Sequence, residues 1–161
     1  LLTTGIAAPG PRSLELAGAE VLSVSSTGEL AVLLDPAYTT GWMREGTLAR
    51  LPSSGGVPRE ILESVQDATW GPDGESLAVV RQVDGVYRLE YPIGTVLYES
   101  PGWISDVRVH PDGDRVLIAD CPVRGDNLAF ARVVHRDGQA LDEATMLDSR
   151  ITEVRSTKGI L

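Results

Sequence analysis

Residues 67–80 read DATWGPDGESLAVV, and residues 105–119 read SDVRVHPDGDRVLIA. Each segment places a short alternating apolar run before Pro-Asp-Gly and a longer apolar run after it. Proline presets φ, aspartate can accept hydrogen bonds from the following backbone, and glycine adopts positive φ without a Cβ clash. Apolar runs on both sides of such a turn predict an antiparallel β-hairpin. The chain therefore contains at least two copies of one hairpin design.

Two weaker copies of this pattern lie nearer the ends of the chain. One surrounds Gly28 in VLSVSSTGELAVLL, and the other surrounds Gly159 in ITEVRSTKGIL. Ser-Thr replaces Pro-Asp in the first of these copies, and Thr-Lys replaces it in the last. Together with Gly74 and Gly113, the turn glycines are separated by 46, 39 and 46 residues. A recurring period of this length is typical of repeat architectures.

The intervals between the hairpins each leave room for two further short strands. The sequence predicts these strands at 47–51 and 59–62, at 87–91 and 95–99, and at 128–135 and 144–147. Amphipathic helical repeats would need an apolar period of 3.6 residues, which does not persist here beyond a turn or two. The predicted fold is therefore all-β, namely part of a β-propeller whose blades are four-stranded meanders.

The pieces WGPDGESLAVV and VHPDGDRVLIA resemble the TolB-like β-propeller repeat, whose core reads roughly W-S-P-D-G-K-x-L-A-F. This resemblance extends over residues 19–156. A narrower resemblance, over residues 46–116, is to propellers attached to bacterial serine/threonine protein kinases and related regulators. In those proteins the propeller follows the kinase domain and is thought to sense or bind. The resemblance implies a sensory module, and it transfers no catalytic residue because the kinase's glycine-rich loop and D-F-G are absent from the sequence.

The repeats divide the chain into segments of unequal completeness. We expect 1–18 to supply the last strand of a preceding blade and 150–161 the first strand of a following one. Residues 19–64, 65–103 and 104–149 are expected to form one blade each. Propellers close with four to eight blades, and an open arc would leave two apolar faces in water. The expectation is a fragment of a larger propeller, and the alternative is a ring completed by a second copy.

Composition and net charge limit the classes of partner that we expect the chain to bind. The formal net charge is −9 and the sequence has no Lys/Arg cluster, so nucleic acid and anionic membranes are not expected partners. Cys121 is the single cysteine, and no His, Cys or carboxylate group has metal-ligand spacing, so no cofactor or metal is expected. No apolar run approaches the roughly 18 residues of a membrane helix. A cytoplasmic and a periplasmic or other extracytoplasmic location both remain open.

The candidate binding residues come from three connections that a propeller would present on one face. Residues 35–45 (DPAYTTGWMRE) form the first, 100–104 (SPGWI) the second and 120–127 (DCPVRGDN) the third. Aromatic and arginine side chains dominate binding hot spots, and these connections carry Tyr38, Trp42, Arg44, Trp103, Arg124 and Asp126. The alternative is that the aromatic rings staple loops to the sheets.

No catalytic motif accompanies these residues. The nucleophile elbow G-x-S-x-G, the zinc motif H-E-x-x-H and the P-loop are all absent from the sequence. The predicted function is a non-catalytic binding or sensor module that recognises a protein, a peptide or a small ligand through its loop face. Two alternatives stay open: the propeller portion of a hydrolase or peptidase whose catalytic domain lies elsewhere, and a scaffold that oligomerises by blade completion.

Overall fold

The computed structural model describes residues 2–3, 12–14, 16–40, 43–124, 128–141 and 146–147. Within these ranges the fold is all-β, as predicted from the sequence, and every strand pairing is antiparallel. The weak repeat around Gly159 lies outside the described residues, as does the strand expected within 150–161. None of the described residues belongs to a helix that could cross a membrane.

The strands follow one another as a meander. The largest sheet contains seven strands in sequence order: β3 (Ala19–Val24), β4 (Glu29–Thr40), β5 (Met43–Pro52), β6 (Arg59–Trp70), β7 (Leu77–Val83), β8 (Val86–Glu90) and β9 (Val96–Ser100). A second sheet contains β10 (Trp103–Val109), β11 (Arg115–Cys121) and β12 (Ala129–His135), and β12 also pairs with β13 (Ala140–Leu141) and β14 (Met146–Leu147). Near the start of the chain, β1 (Leu2–Thr3) pairs with β2 (Arg12–Ser13).

Strand β6 doubles back on itself. Arg50 of β5 is the register partner of Arg59 at the start of β6, and its guanidinium lies 4.8 Å from the ring centroid of Trp70 at the end of β6. The reversal occurs near Ser64, which adopts a left-handed φ of 57°. The first half of β6 therefore completes a group with β3, β4 and β5, and its second half begins a group with β7, β8 and β9.

Alternate residues of one strand pack into different hydrophobic clusters. In β7, Leu77 and Val79 belong to a cluster shared with β4 and β5, whereas Ala78 and Val80 belong to a cluster shared with β8, β10 and β11. Strand β4 behaves in the same way, since Leu33 joins the first of these clusters and Val32 joins a separate one that includes Leu14 and Leu51. The two-residue period of a strand thus lets one group of strands contact a neighbour on each face.

The turns of the three hairpin copies lie beside one another at one end of the molecule, which we call the turn end. Gly28, Gly74 and Gly113 have φ values of 84°, 69° and 77°. The hydroxyl of Thr27 donates a hydrogen bond to the carbonyl of Gly74 at 3.4 Å. A Cβ on Gly113 would contact Pro72 at 3.4 Å. Equivalent positions of the sequence repeat are therefore close in space.

The prediction of a long loop over 35–45 was wrong. Strand β4 continues to Thr40 and β5 begins at Met43, so most of this segment is a paired hairpin extension. Asp35 adopts a φ of 46° and the register shifts beside it, which breaks the apolar alternation while the backbone pairing resumes. A polar hairpin extension buries no continuous apolar face, so its pairing leaves little trace in the sequence pattern.

Candidate binding cleft

A cleft of about 320 Å³ opens at the end of the sheets opposite the turn end. We call this the cleft end. Its lining comes from the β4–β5 hairpin, from β7 and β8, from the crossover into β10 and from the segment after β11. The lining residues are Thr39, Met43, Glu45, Gln82, Tyr87, Gly102, Trp103 and Arg124. Each of the three connections proposed from the sequence contributes at least one residue.

Buried aromatic rings form the floor of the cleft. Tyr87 is 6% exposed and Trp103 is 7% exposed, and both belong to the hydrophobic cluster around β8, β10 and β11. Met43 packs against the same cluster. Gly102 lies beside Trp103, and a Cβ at this position would overlap the carbonyl oxygen of Cys121. The floor is therefore part of the core. The crossover between β9 and β10 packs tightly against the end of β11.

The cation of the cleft already has protein partners. Arg124 donates from Nε to the carbonyl of Pro101 at 2.9 Å and from Nη2 to the carbonyl of Gly85. These bonds fasten the β7–β8 turn to the crossover between β9 and β10. The Nε–Nη2 edge is one of the two edges at which a guanidinium can hold a carboxylate in a two-point contact. In this structure the two backbone carbonyls occupy it.

Three polar side chains of the cleft have no partner among the residues that the structure describes. Glu45 and Gln82 are half-buried, and neither side chain makes a hydrogen bond or an ion pair there. The hydroxyl of Tyr87 is the third. Burial raises the pKa of Tyr87, the nearby charge of Glu45 raises it further, and Arg124 lowers it. The hydroxyl therefore stays protonated at neutral pH and can donate a hydrogen bond.

Two of the predicted binding residues face Glu20 of β3 and do not line the cleft. The hydroxyl of Tyr38 donates to Glu20 Oε1 at 2.8 Å, and Arg44 Nε lies 2.5 Å from Glu20 Oε2. The hydrogen bond to Glu20 raises the pKa of Tyr38. These contacts tie the hairpin extension to the neighbouring strand.

The remaining predicted residues divide into two pairs. Trp103 and Arg124 line the cleft, whereas Trp42 and Asp126 lie outside the described residues. The sequence reasoning missed Glu45, Gln82 and Tyr87. Glu45 lies in the DPAYTTGWMRE segment. It was not selected because aromatic and arginine side chains were the residue types used to choose candidates there.

A buried carboxylate beneath the cleft end joins the second group of strands to the second sheet, whose strands β10, β11 and β12 we call the third group. Asp120 of β11 is fully buried. Its Oδ1 accepts a hydrogen bond from Ser100 Oγ at 2.6 Å, and its Oδ2 accepts from Tyr98 Oη at 2.7 Å and from Arg132 Nε at 2.7 Å. This network fixes β9 against β11 and β12, so it holds the crossover at 101–102 in place.

The tripeptide His135-Arg136-Asp137 matches the first letters of a kinase catalytic loop, H-R-D, but its structure is that of a turn. The amide of His135 donates to the carbonyl of Gln139 at 2.8 Å, and Asp137 Oδ1 accepts from the amide of Gln139 at 3.0 Å. Arg136 lies 5.2 Å from the ring centroid of Tyr91. These contacts close the β12–β13 turn.

Within the described ranges, no group of three or more His, Cys, Asp or Glu side chains could hold a metal ion. No protein-family model matches the chain, and no curated protein matches it.

Proposed function

We propose that the chain is a non-catalytic binding module, built from consecutive blades of a β-propeller, whose cleft recognises a protein, a peptide or a small molecule. One observation carries the proposal: polar side chains that no described residue pairs with lie over a floor of buried aromatic rings. Ligand sites combine a mostly apolar wall with a few polar groups that fix orientation. A volume of about 320 Å³ is at the lower end of the size of such sites.

Several features of the fold support the propeller part of this proposal. Strand β6 ends one four-stranded group and begins the next, as the outer strand of one blade leads into the inner strand of its neighbour. Alternate residues of β4 and β7 pack on opposite sides, as stacked blades require. The resemblance of the Pro-Asp-Gly hairpins to TolB-like repeats agrees with this arrangement. Under the proposal, the chain is the sensory part of a larger bacterial regulator.

A groove on the third group of strands is consistent with continuation of the propeller. Leu117 of β11 and Val133 of β12 are register partners and line this groove, which has a volume of about 130 Å³. Their neighbours Val116 and Val134 face the opposite side, in the cluster shared with the second group. In the proposed propeller, Leu117 and Val133 contact the next blade, supplied by the same protein or by a second copy.

The binding function can be tested with a variant that narrows the cleft. Thr39 is exposed at the cleft rim, so Thr39→Trp adds bulk there without disturbing the core. We expect ligands found by screening peptides and small molecules against the chain to bind this variant at least about tenfold more weakly, measured by calorimetry.

The matched control is Ser54→Trp, which places the same ring on an exposed residue of the turn end. Both variants are expected to keep the melting temperature of the parent chain. Ligands that bind Thr39→Trp as tightly as the parent chain would refute the assignment of the cleft as the binding site.

A further inference from the structure

The most informative group in the cleft is the carboxylate of Glu45. It is half-buried and lines the cleft together with Tyr87. No residue that the structure describes donates a hydrogen bond to it or pairs a cation with it. Partial removal of a carboxylate from water costs free energy unless a partner replaces the lost hydration. A ligand cation would supply that partner.

Arg124 lines the same cleft but forms no ion pair with this carboxylate. Its Nε and Nη2 atoms donate to the carbonyls of Pro101 and Gly85, so the guanidinium is directed toward the backbone of two turns. These neutral carbonyls leave Arg124 charged, and they occupy one of the two edges at which a guanidinium can hold an anion at two points. Glu45 is the charged side chain of the cleft that no described residue engages, so it is the group that a ligand cation would meet.

The floor of the cleft complements the remainder of such a ligand. Met43, Tyr87 and Trp103 offer apolar surface to an aliphatic stem. Aromatic faces also attract an ammonium or guanidinium group that passes over them. Gln82 and the hydroxyl of Tyr87 provide neutral hydrogen-bonding groups beside the carboxylate. The net charge of −9 attracts cations toward the molecule as a whole.

We propose that the cleft selects an organic cation, an ammonium or guanidinium group on an aliphatic stem, with Glu45 as its counter-charge. This inference rests on the binding function proposed above and specifies its ligand class. Two sources supply the same chemistry: the lysine or arginine side chain of a partner protein, and a free amine or guanidine compound. In both cases the stem lies on Met43, Tyr87 and Trp103, and the charged group meets Glu45.

Calorimetric titration of the full chain tests the ligand class. The probes are agmatine as a free guanidine compound, N-acetyl-lysine methylamide as a peptide side chain, and glutarate as an anionic control. We expect at least one cationic probe to bind and glutarate not to bind. A third cationic probe, N-acetyl-arginine methylamide, presents the guanidinium of agmatine on a peptide. Tighter binding of agmatine than of this arginine derivative would identify a free compound as the source, and tighter binding of either peptide derivative than of agmatine would identify a partner protein.

The substitution Glu45→Gln keeps the size of the side chain and removes its charge, so it should weaken the binding of the cationic probe by at least about tenfold. Glu75→Gln makes the same charge change on an exposed residue of the turn end and should leave the affinity unchanged. Equal binding of glutarate and the cations, or full retention of affinity in Glu45→Gln, would overturn the inference.

The test also separates this inference from the binding function. If library ligands lose affinity for Thr39→Trp but no cationic probe binds more tightly than glutarate, the choice of ligand class is wrong and the cleft remains a binding site. If Thr39→Trp affects no ligand, the cleft is not the binding site, and the inference is overturned with it.

Discussion

Asp73 at the turn end and Glu45 at the cleft end differ in the hydrogen bonds that their carboxylates accept. At the turn end, Asp73 accepts hydrogen bonds from the amides of Glu75 and Ser76 and from the hydroxyl of Ser76. At the cleft end, Glu45 accepts none from any described residue. The hydrogen-bonding capacity of Asp73 is used within its own turn, whereas that of Glu45 is still available.

In the second copy of the turn, the aspartate carboxylate also finds its partners within its own turn. Asp112 accepts from the amide of Asp114 at 2.9 Å and from Arg115 Nε at 2.8 Å, and its pKa falls to about 2 chiefly because of the bond to Asp114. The comparison separates side chains that form the fold from side chains that can bind. A buried or half-buried polar group without a protein partner calls for an explanation, and a ligand is one.

The largest expected effect on stability comes from replacing a glycine. Gly102 lies at the cleft end and Gly94 at the turn end. Gly102→Ala would drive a Cβ into the carbonyl oxygen of Cys121, and backbone atoms cannot move aside as a flexible side chain can. We expect this substitution to lower the free energy of unfolding by about 3 kcal/mol or more. Gly94, at the turn end, has a φ of 92°, and no atom lies within 4 Å of the position that a Cβ would take. Gly94→Ala should cost only about 1–2 kcal/mol of backbone strain.

Urea unfolding of the two glycine variants measures this difference directly. Equal losses would mean that the close approach of the crossover to β11 does not constrain the cleft end. A larger loss in Gly94→Ala would reverse the comparison.

A smaller loss of stability is expected at low pH, when the carboxylate of Asp112 becomes protonated. Because its pKa is about 2 in the folded chain and 3.8 in a free aspartate, its stabilising contribution is present above about pH 4. That contribution is lost as the pH falls from about 4 to about 2. Asp112→Asn should therefore lose less stability than the parent chain over this interval. Carboxyl NMR should give a midpoint near 2 for Asp112, and a midpoint near 3.8 would contradict the turn geometry.

The half-buried Asp67 of β6 should shift in the opposite direction in that titration. Burial raises its pKa, although the amides of Val107 and Ala68 donate to it and lower the pKa in part. Its ionised form is penalised in the folded chain, and this penalty is relieved as the pH falls through its raised pKa. In the same NMR experiment Asp67 should titrate above 3.8 and Asp112 below it.

Local signals made much of the fold predictable. The Pro-Asp-Gly turns and the alternating runs around them act over a few residues, and the strands predicted at 87–91 and 95–99 agree with β8 and β9 to within a residue or two at each end. The β4–β5 extension was missed because its pairing depends on backbone bonds between polar segments. The continuity of β6 was missed because Ser64 reverses the chain without glycine or proline.

The candidate site was less predictable because its properties depend on distant partners. Trp103 and Arg124 were identified from residue type alone, and both line the cleft. Tyr38 and Arg44 have the same residue types, but Glu20 on a neighbouring strand engages both. Glu45 is distinctive only because no described residue pairs with it. The lack of a partner for a side chain can be recognised only when the positions of the surrounding strands are known.

The most direct test of this account is amide NMR of the chain titrated with the tightest ligand from the library screen. We expect the largest changes in amide shift at 43–45, 82–87 and 102–103, while the turn amides at 73–76 and 112–115 stay unchanged. The largest changes at the turn end, with none around the cleft, would contradict the division of the molecule into a structural end and a binding end.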